Sequence, residues 1–371
     1  MPLFVGLISG TSMDAIDAAL VDIDAERVKL LAFVEIPYDR PLRDRLEKLV
    51  RVRASPIDEI GELDTVLGHA FAAAALTLLE QQGMSPSLIT AIGSHGQTIG
   101  HGVEGQYPYT LQIANPSVIA YRTGILTVAD FRSKDIAAGG QGAPLVPGFH
   151  EHMFRRAGRD VAVVNIGGIS NVSLLASELA RPILGFDCGP GNTLMDLWIQ
   201  RHRGEAFDVD GRWAASGTSN EALLTHLLGD AYFARQPPKS TGRELFHLDW
   251  LDQHLACMSA PPSAADVQAT LAELTAQCII GDIDRHLPAC TDIAICGGGA
   301  RNSELMRRLR TVAGQQRSVY ATDEIGLPAA AIEACTFAWL AARRLQRLPG
   351  NVSSVTGATA PVILGGIYAP D

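Results

Sequence analysis

Leu3-Phe-Val-Gly-Leu-Ile8 runs directly into Ser9-Gly-Thr-Ser-Met-Asp14. A short apolar run that ends in a turn of small residues reads as a buried strand with a tight exit. Two more runs rich in Val, Leu, Ile and Phe, at 17–24 and 28–36, read as the next strands. The same order returns further on. Asp160-Val-Ala-Val-Val164 reads as a strand, Asn165-Ile-Gly-Gly-Ile-Ser-Asn171 as its turn, and about 172–176 and 182–186 as two strands. Strand, small-residue turn, strand, strand thus occurs twice, roughly 160 residues apart. The two copies share few residues, so the repetition is one of architecture.

Outward from these two units, helical patterns cover about 41–52 and 57–82. A strand at 89–93 leads into Ser94-His-Gly-Gln-Thr98. A short helix at 116–122 precedes a strand at 125–129. The stretch 192–203 reads as a helix, and 216–287 is mainly helical. A strand at 292–296 enters Cys296-Gly-Gly-Gly-Ala-Arg-Asn302, and a long apolar helix runs from Pro328 to about Arg343.

At 371 residues the chain exceeds what one core usually holds, so two domains are expected. Hydrophobic residues make up 47% and charged residues 19%, the balance of a packed globular protein. The net charge of −10 argues against a nucleic-acid partner. Only Lys29, Lys48, Lys134 and Lys239 are lysines, so phosphate contacts should fall on backbone N–H groups, arginines and a metal ion. The six cysteines form no C-x-x-C pair and read as reduced, mostly buried thiols. The N-terminus has no basic leader before its first strand. A cytoplasmic protein without a membrane span is the expectation.

Three small-residue turns follow strands: 9–14, 165–171 and 297–302. Close approach of backbone N–H groups to phosphate needs residues without bulky side chains. The hydroxyls of Ser9, Thr11, Ser12 and Ser170 add donors. Any one such turn reads equally well as an ordinary strand exit. No G-x-x-x-x-G-K-[ST] sequence occurs, so a P-loop is excluded. Gly100-His-Gly-Val-Glu-Gly105 fits G-x-G-x-x-G, but a strand-like stretch follows it where a helix would be needed. His95, His101, His150 and His152 lack the clustered cysteines or the H-E-x-x-H pattern of a zinc site.

Taken together, Val5-Gly-Leu-Ile-Ser-Gly-Thr-Ser-Met-Asp-Ala-Ile-Asp17, Ser94-His-Gly-Gln-Thr98, Val128-Ala-Asp-Phe-Arg132, Ala137-Ala-Gly-Gly-Gln-Gly-Ala-Pro-Leu145, Asn165–Asn171, Phe186-Asp-Cys-Gly-Pro-Gly-Asn192 and Cys296–Asn302 resemble the anhydro-N-acetylmuramic acid kinase family. That family belongs to the sugar kinase/Hsp70/actin superfamily. The motifs keep their order across nearly the whole chain. The resemblance implies an α/β fold of two actin-like, ribonuclease-H-like lobes, each a mixed central sheet flanked by helices, with a nucleotide cleft between them. It implies residues 1–130 plus about 331–371 as one lobe and about 131–330 as the other. It also implies ATP and Mg²⁺ as cofactors, an anhydro sugar as substrate and, as the family tends to dimerise, a homodimer.

The reaction so implied opens the 1,6-anhydro ring with water at C1 and phosphorylates O6, in peptidoglycan recycling. Asp187, placed by the sequence pattern at a strand end, fits a turn or capping carboxylate as well as a proton acceptor. The resemblance makes it the catalytic base. Asp130 and Arg132 read as a surface ion pair or as a sugar-binding pair, and the resemblance favours the second, together with Thr98. Glu333 is the one charge in 329–342 and reads either as an exposed strip or as a functional carboxylate. The family bonds the sugar there, and His95 lies inside the Ser94–Thr98 motif. For the nucleotide the expected residues are Ser9, Gly10, Thr11, Ser12 and Asp14. To these the second unit adds Asn165, Gly167, Gly168, Ser170, Asn171, Gly189, Gly191, Asn192, Gly297, Gly298, Gly299, Arg301 and Asn302. Asp14 is the expected partner of Mg²⁺, through water. A sugar sensor or a plain ATPase on the same fold are the competing readings.

Overall fold

The computed structural model describes every residue except 1, 11, 12, 25, 26, 53, 54 and 243. It falls into two compact units, Met1–Phe149 with Ala331–Asp371, and His150–Ala330.

In the first unit, β1 (Leu3–Ser9), β2 (Ala15–Ile23) and β3 (Val28–Pro37) form an antiparallel meander. β1 and β2 are buried on both faces, as their near-continuous apolar sequences require. β3 is half exposed and forms the edge. β4 (Ile89–Gly102) lies parallel to β1, β5 (Tyr109–Ile113) folds back on β4, and β6 (Thr127–Ala129) continues the sheet.

In the second unit, β7 (Val161–Ile166), β8 (Ile169–Leu175) and β9 (Leu184–Pro190) repeat the meander. β10 (Asp292–Cys296) and β11 (Ser318–Ala321) add parallel strands. β12 (Gly366–Tyr368) returns to the first sheet beside β6. The sheet orders are β12-β6-β4-β1-β2-β3 and β11-β10-β7-β8-β9. Apart from β12 and β5, both follow one plan: three antiparallel strands, then two parallel ones beside the first. That is the mixed, actin-like arrangement in each unit, with helices packed on the sheets.

Three expectations change. Residues 131–149 pack with the first unit, where the family resemblance implied the second. The buried Asp135 holds them there: its Oδ1 accepts from Asn351 Nδ2 (2.6 Å) and Thr356 Oγ1 (2.7 Å). The strand expected at 89–93 runs on to Gly102, because residues 97–102 pair with β5; Ser94–Thr98 is therefore strand, and Gly100–Gly105 belongs to a hairpin. Asp187 lies inside β9 and does not end it, since Gly189 and Pro190 still pair with β8 beyond a bulge.

The helix Ile57–Gln81 is long and apolar enough to cross a membrane, but Leu63, Leu67, Phe71, Leu78 and Leu79 bury its apolar side in the core of the first unit. The helix Ile332–Leu345 lies directly on β1 and β4. A Cβ on Gly6 would collide with the Ala334 carbonyl, and one on Gly93 with the Phe337 carbonyl. Two glycines thus set the depth of this helix and, with it, the place of Glu333 in its first turn. Gly93→Ala should therefore lose about 3 kcal/mol or more, because backbone and not a flexible side chain must move. Denaturant unfolding of variant and wild type checks this; equal midpoints would contradict the packing described.

Candidate functional site

In the first unit the site begins with Arg132, which follows β6. Its Nε donates to His95 Nε2 (2.8 Å) and its Nη1 to the Gly142 carbonyl (2.8 Å). His95 Nδ1 faces the Gly96 carbonyl at 2.9 Å. A carbonyl can only accept and a guanidinium can only donate, so His95 is neutral with its proton on Nδ1. Burial, then the Arg132 charge, hold its pKa well below the ordinary value. Gly142 is braced in turn, since its N–H donates to Asp135 Oδ2 (2.7 Å).

Asp130 does not pair with Arg132. It adopts a left-handed φ of 58° and lines a cavity of about 260 Å³ with Ser94, Gln112 and Tyr368. The carboxylates that act on Arg132 are Glu333 and Asp135; they offset part of the burial that lowers its pKa to about 10. Thr98 is half-buried, with Oγ1 accepting from Gln112 Nε2 (3.1 Å).

Within Ala331–Ala342, Glu333 is exposed and the other eleven residues are buried. Although its surface is accessible, dense surrounding protein raises its pKa, and Arg132 pulls it back. Asp17, on β2 opposite Glu35 of β3, is pushed up to about 7 by burial first, then by Glu35, Glu333 and Asp14. Ser9 Oγ is buried at the end of β1, beside the Tyr38 hydroxyl. Gly10 carries its carbonyl on Gln97 Nε2 (3.2 Å). Thr11 and Ser12 lie outside the described residues.

The folded pKa of Asp17 is raised above its unfolded value of 3.8. The native state therefore binds the extra proton, and stability falls as pH climbs from about 4 through about 7. Asp17→Asn should stabilise the protein by roughly 1–3 kcal/mol at pH 8 and hardly at all at pH 4. Thermal unfolding at both values measures it; a gain that does not depend on pH would contradict this.

In the second unit three turns meet. The N–H groups of Gly191 and Asn192 donate to the carbonyls of Gly168 and Gly167 (both 2.8 Å), and that of Thr193 to Gly168 (3.1 Å). A Cβ on Gly191 would collide with the Gly167 carbonyl, and one on Gly297 with Asn165 Oδ1. Gly191 and Asn192 thus brace the β7–β8 hairpin with the N–H groups that the sequence reading offered to phosphate. Ser170 is likewise engaged: it is fully buried and its Oγ donates to the Gly189 carbonyl (3.1 Å). Asn171 stands opposite Asp187 in the β8–β9 ladder.

Beside these turns, Asn192, Gly298, Arg301 and Asn302 line a cavity of about 260 Å³ with Met195 and Phe207. Asn302 caps the helix Ser303–Ala313 through Leu305 N (3.0 Å). Gly299 is buried against Ile166. An apolar pair, two carboxamides, a guanidinium and the carboxylates of Asp196, Asp208 and Asp210 surround one concavity, which suits a flat heterocycle with polar, hydrogen-bonding edges.

Asp187 is half-buried. Its Oδ2 accepts from Thr241 N (3.0 Å), and its backbone N–H donates to the Lys239 carbonyl (3.1 Å). Burial raises its pKa, the Thr241 N–H lowers it, Glu244 raises it and Lys239 lowers it. A carboxylate with one oxygen fixed and an elevated pKa is equipped to accept a proton.

The anhydro-N-acetylmuramic acid kinase family model matches residues 2–370. The chain belongs to the anhydro-N-acetylmuramic acid kinase family. Two members of this family, each named anhydro-N-acetylmuramic acid kinase, show the likeness. That of Pseudomonas paraeruginosa is 49% identical over 371 residues, 99% of each chain. That of Photobacterium profundum is 45% identical over 372 residues, 98% of each. The solved component A of (R)-2-hydroxyglutaryl-CoA dehydratase from Acidaminococcus fermentans is similar over 91% of this chain and 96% of its own, at 11% identity and a TM-score of 0.48. The chain is therefore an enzyme of the kinase class its family names.

Sequence reasoning missed Asp17, Phe207, Lys239 and Thr241. A lone lysine in Pro237-Pro-Lys-Ser-Thr-Gly242 was the available signal, in a chain with three others.

Proposed function

We propose that this kinase transfers the γ-phosphoryl group of ATP to O6 of 1,6-anhydro-N-acetylmuramic acid, with hydrolytic opening of the anhydro bridge, in the cytoplasmic recycling of peptidoglycan. The observation that carries the reading is Asp187, a half-buried carboxylate of raised pKa held on one oxygen by a backbone N–H. Water forms a bond to C1 as the C1–O6 bond breaks, and its proton passes to Asp187. O6, released with its electron pair, forms the new bond to the γ-phosphorus, and ADP departs. Asp187 then returns its proton to solvent.

Arg132, Glu333, Thr98 and Asp130 from the first unit are assigned to the sugar. Arg132 keeps Nη2 for a carboxylate such as the lactyl group, since Nε and Nη1 are already bonded. Gly298, Arg301, Asn302, Met195 and Phe207 are assigned to the nucleoside, and Gly167 with Gly168 to its phosphates.

Among the described residues no three His, Cys, Asp or Glu side chains are placed to hold a metal directly. The surplus of negative charge at Asp14, Asp17 and Glu333 fits a hydrated Mg²⁺ bound through its waters. Such an ion supplies neutralisation of phosphate charge.

The test is ADP release with and without the anhydro sugar. ADP should form only when both substrates and Mg²⁺ are present, and EDTA should stop it. Equal ADP release without sugar would favour a plain ATPase and overturn the proposal.

A further inference from the structure

Lys239 has a side chain only 1% exposed, opposite Asp282 at 4%. Its Nζ donates to both Asp282 oxygens, at 2.9 and 3.2 Å. Arg285 Nη1 also donates to Asp282 Oδ1, at 3.1 Å. The rings of Phe186 and Tyr232 lie 5.5 and 5.2 Å from the ammonium. A buried ion pair is a poor source of stability, because desolvation costs as much as the attraction returns; apolar replacements of similar size often do as well. The use of this pair must be sought in what it holds.

It holds the segment that grips Asp187. The Lys239 carbonyl accepts the Asp187 N–H at 3.1 Å. Tyr232 Oη donates to the Asp187 carbonyl at 2.8 Å, and Thr241 N to Oδ2 at 3.0 Å. β9 is the edge strand of its sheet, so these bonds stand where a neighbouring strand would be. Asp282 belongs to the helix Ala264–His286, a rigid element with fourteen buried residues. The ion pair therefore fastens residues 239–241, a stretch with no regular structure, to the core helix of the second unit.

We infer that Lys239 is a positioning residue: paired with Asp282, it keeps the Thr241 N–H on one oxygen of Asp187 and so aims the carboxylate. This rests on Asp187 being the base. The titratable and charged groups around Asp187 are Glu244 and Lys239 on the segment, Tyr232, and Cys188 and Asp282 behind it.

Lys239→Met leaves Asp282 without its lysine and can fail to fold, so the deciding variant is Lys239→Met with Asp282→Leu, a neutral pair. Expected are an unchanged unfolding midpoint, KM values for sugar and ATP within about threefold of wild type, and kcat lower by about 10²-fold, the size of an error in placing a reacting group. The acidic limb of the kcat profile should move to higher pH, because the Thr241 N–H and the Lys239 charge both hold the Asp187 pKa down. Hydrogen exchange at the Thr241 amide should accelerate. A folded double variant with wild-type kcat, limb and exchange overturns the inference. Faster exchange in that variant, together with full turnover in Asp187→Asn, supports the positioning of Asp187 while refuting its role as base.

Discussion

Asp187→Asn binds ATP and the anhydro sugar with near-normal affinity and turns over roughly 10²–10⁴-fold more slowly. The amide keeps the shape of the carboxylate, and its oxygen can still accept the Thr241 N–H seen at 3.0 Å. What it loses is the second oxygen as a proton acceptor. Ring opening and phosphoryl transfer fail together, because O6 leaves C1 before it can attack phosphorus. In the wild type, isotope-labelled water labels C1 of the product. Near-normal turnover of the variant, or a product that keeps its anhydro bond, would refute the mechanism. Joint loss of binding and turnover would assign Asp187 to the structure of β9.

Arg132→Ala lowers kcat/KM for the sugar by roughly 10²–10³-fold and leaves KM for ATP unchanged. Removing one partner of a buried charged set typically costs about 3–5 kcal/mol, of which part appears as lost binding. Two effects combine. The sugar loses a guanidinium already oriented by His95 and Gly142. Glu333 loses the group that counters the rise in its pKa, so it protonates at higher pH. The acid limb of kcat/KM for the sugar should therefore shift upward. Arg132→Lys should rescue little, since one ammonium cannot replace a fork bonded at two of its nitrogens. Steady-state kinetics with each substrate varied in turn decides it; an equal rise in both KM values would place Arg132 outside the sugar site.

Periodicity carried the two sheets. β1, β2 and β7 are apolar on both faces, and the first strand of each meander exits through a turn of small residues, so both units could be read from runs of Val, Leu and Ile. The small-residue turns were located too, but not the use of their N–H groups. Whether Gly191 N faces a phosphate or the Gly168 carbonyl depends on how two loops separated by more than twenty residues pack, and no local pattern encodes that. β4 was cut short for a related reason: Ser94-His-Gly-Gln-Thr98 is polar and shows no strand signal, and only its pairing with β1 and, from Gln97, with β5 extends the strand. Asp17 opened a strand candidate with nothing local to mark it, because its elevated pKa comes from burial, from Glu35 across the ladder and from Glu333, 316 positions along the chain. Asp130 and Arg132, two residues apart, suggested a pair; the positive φ at Asp130 separates them.

The contact of Gly6 and Gly93 with the helix Ile332–Leu345 bears on the order in which the molecule can be made. On the ribosome β1 emerges first, yet the helix that roofs it emerges only after the whole of the second unit, His150–Ala330, has been synthesised. The second unit is one continuous stretch and can close on itself during translation. The first must wait with the apolar faces of β1 and β4 uncovered until the last turn of that helix leaves the exit tunnel. Chains truncated before residue 332 and released from the ribosome should thus carry a protease-resistant second unit and a first unit still open to chaperones.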